Sequence, residues 1–264
     1  MLPAIVIAGG IPKEGEPLYP LSQGKPKALL PIAGKPMIQW VLEALESASK
    51  IGAIVVVGAP LPASAQVTKV REVIPNQGEM LSNVLQGMRK VLELEPAAHH
   101  VVLVSSDIPA ITAEMVDWLV DTTMQSDEDV YYTVIDRRVM EAKYPHSRRS
   151  YTRLKDIEVC GGDMNVVRAT LTVGTNEELW RRILAARKNV LKQAALLGLD
   201  TLILLLLRRL TLEQAVRIVA SRMKVSGRAI VSPYAEVGMD VDKPHQLEIV
   251  EADLLQRQKE RKAG

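Results

Sequence analysis

Pro3-Ala4-Ile5-Val6-Ile7-Ala8-Gly9-Gly10 decides the fold: a short apolar run that ends in two glycines. Such a run predicts a strand buried on both faces, and strands of that kind belong to parallel sheets covered by helices. The glycine pair marks where the strand leaves the sheet for a loop. Further strand-like runs occupy residues 53–57 before Gly58, 101–105 before Ser106-Asp107, and 130–135. Between them the apolar spacing is helical over 37–48, over 79–92 behind Gly78, and over 112–123, with Thr112 as N-cap and Glu114 in the first turn. The alternation predicts an α/β fold, a mostly parallel central sheet flanked by helices. Ligands of such sheets bind at the carboxyl ends of strands, where Gly9-Gly10 and Asp107 both fall.

Pro12, Pro17, Pro20, Pro26 and Pro31 punctuate residues 9–36, which therefore read as one long ordered loop, and a loop of that length in a compact domain is usually functional. The alternation stops after residue 136. Residues 137–155 carry Arg137, Arg138, Lys143, Arg148, Arg149, Arg153 and Lys155 against a single acid, Glu141. Gly161-Gly162-Asp163 and a strand-like stretch over 165–172 follow. Residues 176–222 read as three helices broken near Asn189 and Thr211, 225–232 as a strand, and Pro244 onward as a terminal helix. With no repeat and no linker, residues 1–264 read as one domain, with 137–222 as a mainly helical lobe beside the core.

Hydrophobic residues are 47% of the chain and charged residues 24%, enough to bury a core and too apolar for a disordered chain. Thirty-three basic against 31 acidic side chains give a net charge of +2, too even for a general nucleic-acid or membrane polycation. Aromatic residues are 3% with no Phe, so stacking of bases on an aromatic platform is not expected. The one cysteine, Cys160, excludes an internal disulfide, and His99, His100, His146 and His245 show no ligand spacing. The N-terminus lacks a basic stretch before its apolar run, which argues against a secretory signal and for a cytoplasmic protein. The most apolar segment, 196–207, is interrupted by Asp200 and closed by Arg208-Arg209, and it falls short of the ~20 residues of a membrane span. A buried helix accounts for it; docking on a lipid surface or on a second copy as a homodimer is the sharper alternative.

Two phosphate-loop motifs fail. Gly9, Gly10 and Gly15 have the wrong spacing for GxGxxG. Gly10 and Gly15 suit Walker A, but Glu16-Pro17 stand where Lys-Ser or Lys-Thr should follow. The longer string is more specific. Ala8-Gly9-Gly10, Pro17-Leu18-Tyr19-Pro20-Leu21-Ser22 and Lys25-Pro26-Lys27-Ala28-Leu29-Leu30-Pro31-Ile32-Ala33-Gly34-Lys35-Pro36-Met37-Ile38 together resemble the opening of the nucleotidyltransferases, both the sugar-phosphate nucleotidylyltransferases and the molybdenum-cofactor guanylyltransferase-like NTP transferases. Three later segments resemble the same family in order: Gly78 to Gly87, Ser105-Ser106-Asp107-Ile108-Pro109, and Asp240-Val241-Asp242-Lys243-Pro244-His245-Gln246-Leu247.

The resemblance implies a Rossmann-like, nucleotide-diphospho-sugar transferase fold. It also implies a magnesium (Mg²⁺)-dependent enzyme that joins an NTP to a phosphorylated acceptor, such as a sugar phosphate or cofactor phosphate, and releases pyrophosphate. On this basis Ala8, Gly9, Gly10, Lys13, Lys27, Gly78 and Ser82 would bind the nucleotide. Lys13, Lys27 and Asp107 would carry catalysis. Asp107 and Asp242 would hold the metal, with Asp240 as the rival of Asp242. The basic stretch is either a solvated face or, through Arg148, Arg149 and Arg153, a clamp for the acceptor phosphate, with Gly162, Asp163 and Asn165 shaping that pocket.

One departure bears on catalysis. The family's loop arginine falls on Pro17, and Lys13 in the lengthened loop would have to replace its charge. His245 replaces the usual acid of the last motif. A catalytically impaired nucleotide-binding protein and a glycosyltransferase of the same fold are the two rival expectations.

Overall fold

The computed structural model describes residues 1–172, 204 and 207–263. Its centre is a nine-stranded sheet that runs, in spatial order, β5 (Val70–Pro75), β4 (Ile51–Gly58), β1 (Leu2–Ile7), β6 (His100–Ser105), β10 (Met164–Arg168), β7 (Val130–Asp136), β9 (Glu158–Gly161) and β8 (Thr152–Arg153), and β11 (Gly227–Ser232) lies along the other edge of β7. The core strands are β1, β4, β5, β6, β7 and β11. β1 pairs in parallel with β4 and β6, with Ile5 opposite Val55 on one side and Leu103 on the other. Helices α2 (Met37–Ser47), α3 (Met80–Leu94) and α4 (Ala113–Thr123) are the crossovers.

Alternate residues of β1 serve opposite faces. Ala4 and Val6 join Ile38, Val41, Leu42 and Leu45 of α2 and Val116 and Leu119 of α4 in one core cluster. Ile5 joins Met88 and Val91 of α3 in another. Each fully buried Ile or Leu of these faces contributes roughly 1.5–3 kcal/mol, which is why the continuous apolar run holds the middle of the sheet. Thr112 caps α4 as expected, accepting from the Met115 backbone N–H.

Residues 9–36 hold more structure than one loop. They contain a helical turn, α1 (Tyr19–Ser22), a 3₁₀ turn (Lys27–Leu29) and a tight hairpin of β2 (Pro31–Ile32) and β3 (Lys35–Pro36). Leu18, Leu30, Ile32 and Met37 bury themselves against Val241, Val250 and Leu254, so the loop is fixed by the C-terminal helix α7 (Pro244–Ala263).

Of the lobe expected beside the core, the described strands enter the central sheet. After α5 (Arg137–Lys143), β8 (Thr152–Arg153), β9 (Glu158–Gly161) and β10 (Met164–Arg168) all join the central sheet. β10 runs antiparallel between β6 and β7, with Asn165 opposite Leu103 and Val166 opposite Tyr131. The strand expected over 165–172 stops at Arg168, and a 3₁₀ turn (Ala169–Thr172) follows. β5 was not foreseen; Val70-Arg71-Glu72-Val73-Ile74-Pro75 is an edge strand with only Ile74 fully buried.

The break expected near Thr211 is present. Thr211 and Gln214 form a reciprocal capping box that starts α6 (Leu212–Met223). Apart from Leu204, the rest of the helical expectation over 176–206, including the break near Asn189, lies outside the described residues, and 207–210 form a turn rather than helix. The 196–207 segment and any homodimer contact through it lie outside the described residues too, apart from Leu204 and Leu207. Among the described residues no helix is long and apolar enough to cross a membrane.

Candidate active site

The ends of β1, β4 and β6 meet at the glycine turn. Ala8 N–H donates to Val57 O (2.7 Å), and Ser106 N–H donates to Ile7 O (3.0 Å). Gly58 has φ +114°, and a Cβ there would lie 2.3 Å from Gly9 N, so only glycine lets β4 close on the turn this tightly. Behind the turn stand Asn76 and Asn83, which the sequence did not single out. Asn76 Nδ2 donates to Gly9 O (2.9 Å), and Asn76 Oδ1 accepts from Gly78 N–H (3.0 Å) and Asn83 Nδ2 (3.1 Å). Asn83 Oδ1 accepts from Gln77 N–H (2.7 Å). This network locks the glycine turn to the first turn of α3, where half-buried Ser82 sits.

Lys27 is tied to the turn by its backbone, N–H to Gly10 O at 2.9 Å. Its ammonium lies 2.5 Å from Asp107 Oδ2 and 2.5 Å from Asp242 Oδ1. The two carboxylates converge because Val241 N–H donates to Asp107 O (2.9 Å) and the buried Gln246 side chain accepts from Asp242 N–H (3.0 Å). Burial alone would push the Lys27 ammonium down, yet Asp107 and Asp242 outweigh it and hold the group above the usual lysine range.

Asp240 completes the group: ligand oxygens of Asp107, Asp240 and Asp242 lie within 4.8 Å of one another. Both aspartates weighed against each other in the last motif therefore belong to the cluster. Asp240 pairs with Arg149, whose Nη2 also donates to Gly161 O (3.3 Å). Asp107 Oδ1 is buried and has no hydrogen-bond partner among the described residues. A buried acceptor without a donor, beside two more carboxylates, fits a hard divalent cation such as Mg²⁺.

A cleft of about 410 Å³ opens beside this cluster, lined by Gly10, Ile11, Pro12, Glu16, Pro17, Leu18, Lys27, Asp242 and Lys243. Lys13 is not among the lining residues. It is exposed at the loop tip, where its backbone N–H donates to Glu16 Oε2 (3.0 Å) and its carbonyl accepts from Glu16 N–H (2.9 Å). Glu16 and Lys243 line the cleft without having been foreseen. The signal for Lys243 was its place in the last motif.

The basic stretch is largely engaged within the protein. Arg137 pairs with Glu141 and Glu158, Arg138 with Asp136, Lys143 with Glu236 and Asp253, and Arg153 with Glu158. Of the three arginines expected to meet the acceptor, Arg149 reaches the carboxylate cluster; Arg148 and Arg153 do not line the cleft. Gly162 N–H donates to Thr133 O (2.8 Å), and Asp163 ties the end of β6 to the 3₁₀ turn Ala235–Gly238 through its backbone, donating to Val237 O and accepting from Ser105 N–H (2.9 Å each). Asn165 uses both polar ends on this bend: Oδ1 accepts from Thr133 N–H (2.8 Å) and Nδ2 donates to Gly162 O (3.2 Å).

Comparison with known proteins bears on the family of the chain. The chain is 33% identical over 120 residues to a probable molybdenum cofactor guanylyltransferase of Pyrococcus furiosus, 46% of this chain and 54% of that protein. It is 33% identical over 108 residues to the molybdenum cofactor guanylyltransferase of Rhizobium meliloti, 40% of this chain and 46% of that protein. The matches thus span about half the length of these curated relatives. A solved hypothetical transferase from Thermus thermophilus superposes with a TM-score of 0.80 at 32% identity, over 93% of this chain and 99% of the other. A CMP:2-keto-3-deoxy-manno-octonic acid synthetase complexed with CTP shares the fold at a TM-score of 0.56 and 18% identity, over 97% of this chain and 100% of the other. The model of the MobA-like NTP transferase domain matches residues 4–175, and the chain belongs to that family.

Proposed function

We propose that the chain is a Mg²⁺-dependent nucleotidyltransferase that joins an NTP to a phosphorylated small-molecule acceptor and releases pyrophosphate, in the cytoplasm. The observation that carries this is the convergence of Lys27, Asp107 and Asp242 beside the Gly9-Gly10 turn. Nucleotidyl transfer is an in-line displacement at the α-phosphorus. An acceptor phosphate oxygen forms the new P–O bond while the bond to pyrophosphate breaks. Such chemistry asks a protein for positioning and charge neutralisation rather than for a covalent intermediate.

Each part of the site has a matching task. Asp107, Asp242 and Asp240 would hold Mg²⁺, which when bound supplies charge neutralisation to the phosphates. Lys27, fixed by its backbone to Gly10, would stabilise charge building on the α-phosphate. The Asn76–Asn83 network would hold the glycine turn in the conformation that meets a phosphate. Arg149, seated on Asp240, would orient the acceptor phosphate.

The test is direct. The protein, Mg²⁺ and each NTP are incubated with a panel of phosphorylated acceptors, and pyrophosphate is measured. The names of the relatives make GTP and molybdenum cofactor the first pair. Folded protein that releases no pyrophosphate from any pair would remove the enzymatic proposal. NTP binding without turnover would favour the impaired nucleotide-binding alternative, to which the presence of Glu16 and Pro17 on the cleft wall lends weight. Sugar release from a nucleotide-sugar, with free NTP inert, would favour the glycosyltransferase.

A further inference from the structure

The cleft is unevenly charged. Its loop wall, Gly10 to Leu18, contributes the Glu16 carboxylate and the Pro17 ring, and none of the residues lining that wall is a cation. Lys27 is engaged by two carboxylates at 2.5 Å each. Lys243 also lines the cleft, exposed, with no side-chain partner among the described residues. The lining therefore balances Glu16 and Asp242 against Lys27 and Lys243. Without Lys243 it would present net negative charge to a polyanionic ligand.

The position of Lys243 is fixed while its side chain is free. Its carbonyl accepts from Gln246 N–H (3.0 Å) and Leu247 N–H (3.1 Å). It thus immediately precedes α7, at the positive end of that helix's dipole. An ammonium on a flexible stem, with three donors and no fixed plane, suits phosphate oxygens whose positions change as a bond breaks.

We propose that Lys243 binds the terminal phosphates of the nucleoside triphosphate and makes the cleft prefer triphosphate over monophosphate. This rests on the nucleotidyltransferase function above and assigns the cleft's phosphate-counting residue within it.

The experiment uses the full chain with Mg²⁺ and calorimetric titration of the four NTPs, their monophosphates and inorganic tripolyphosphate. K243M is expected to weaken triphosphate and tripolyphosphate binding roughly tenfold to a hundredfold, the loss of one charge-assisted contact, with monophosphate affinity kept. K243R, which keeps the charge, is expected to restore most of the preference. K259M makes the same charge change at the far end of α7, roughly 24 Å along the helix, and is expected to bind like wild type. In turnover, K243M raises KM for the NTP more than it lowers kcat. Wild-type protein that binds or turns over an NTP, with K243M equal to it in triphosphate affinity, overturns the role of Lys243 and leaves the proposed function standing. Wild-type protein that neither binds nor turns over any NTP overturns both. Circular dichroism of K243M confirms the fold, since the residue is exposed.

Discussion

The backbone N–H of Val241 donates to the carbonyl oxygen of Asp107 across 2.9 Å. That single bond fastens the segment before α7 to the end of β6, and it explains why two carboxylates distant in sequence face the same ammonium. Asp107→Asn and Asp242→Asn keep the side-chain shape but remove the charge. Each is expected to lower the rate of pyrophosphate release by ~10²–10³ while leaving the fold intact. Steady-state assays at saturating Mg²⁺ check this, and a variant with full activity would take that carboxylate out of the site.

Lys27 links stability to pH in a defined direction. Burial would lower its pKa, but Asp107 and Asp242 raise it above the ordinary 10.5. A raised folded pKa means that the stabilisation is fully present below 10.5 and is lost as pH climbs through the higher folded value. The Lys27 contribution is therefore expected to be constant across neutral and mildly alkaline pH. Lys27→Met leaves buried Asp107 beside two further carboxylates and is expected to destabilise the metal-free protein by about 3 kcal/mol in urea titrations. Added Mg²⁺ should raise the Tm of this variant more than that of wild type, because the carboxylates then lack their cation. Equal stability of variant and wild type would contradict the assignment.

Gly58 is predicted to be the most intolerant glycine of the site. A methyl group there would sit 2.3 Å from Gly9 N and 2.4 Å from Gly9 Cα, both backbone atoms that cannot step aside. Gly58→Ala should cost more than about 2 kcal/mol and weaken nucleotide binding. Gly15→Ala, at φ +89° with nothing within 4 Å, is expected to cost only backbone strain, about 1 kcal/mol. Thermal denaturation of the pair separates steric intrusion from strain.

Asn165 is predicted to act on the fold rather than on the acceptor. Asn165→Ala removes the acceptor for Thr133 N–H and the donor for Gly162 O, and should cost roughly 1–3 kcal/mol. Acceptor KM is expected to stay near wild type. A stable variant with a raised acceptor KM would return Asn165 to the acceptor pocket.

The sequence disclosed those parts of the site that lie at the ends of local patterns. Gly9-Gly10 closes an apolar run, Asp107 closes another, and Lys27 and Asp242 sit in short ordered strings, so each could be named from its neighbours. Asn76 and Asn83 carry no such mark; their importance arises only when β5 and α3 bring them behind Gly9. The basic stretch misled because its partners, Glu158, Glu236 and Asp253, come from other elements. β5 escaped notice because an edge strand buried on one side keeps Arg71 and Glu72 in its apolar run. β10 was seen as a strand, but its place between β6 and β7 is a long-range pairing that periodicity does not encode.

That placement of β10 governs how the chain can be cut and how it matures. β6 and β7 are adjacent in sequence order yet never touch in the ladder; a later segment zips into the gap with reversed direction. A fragment ending at residue 136 would present two raw strand edges to any neighbour and is an invitation to aggregation. During synthesis β6 and β7 stay unjoined until Arg168 has cleared the ribosome, so closure of the sheet is a late event.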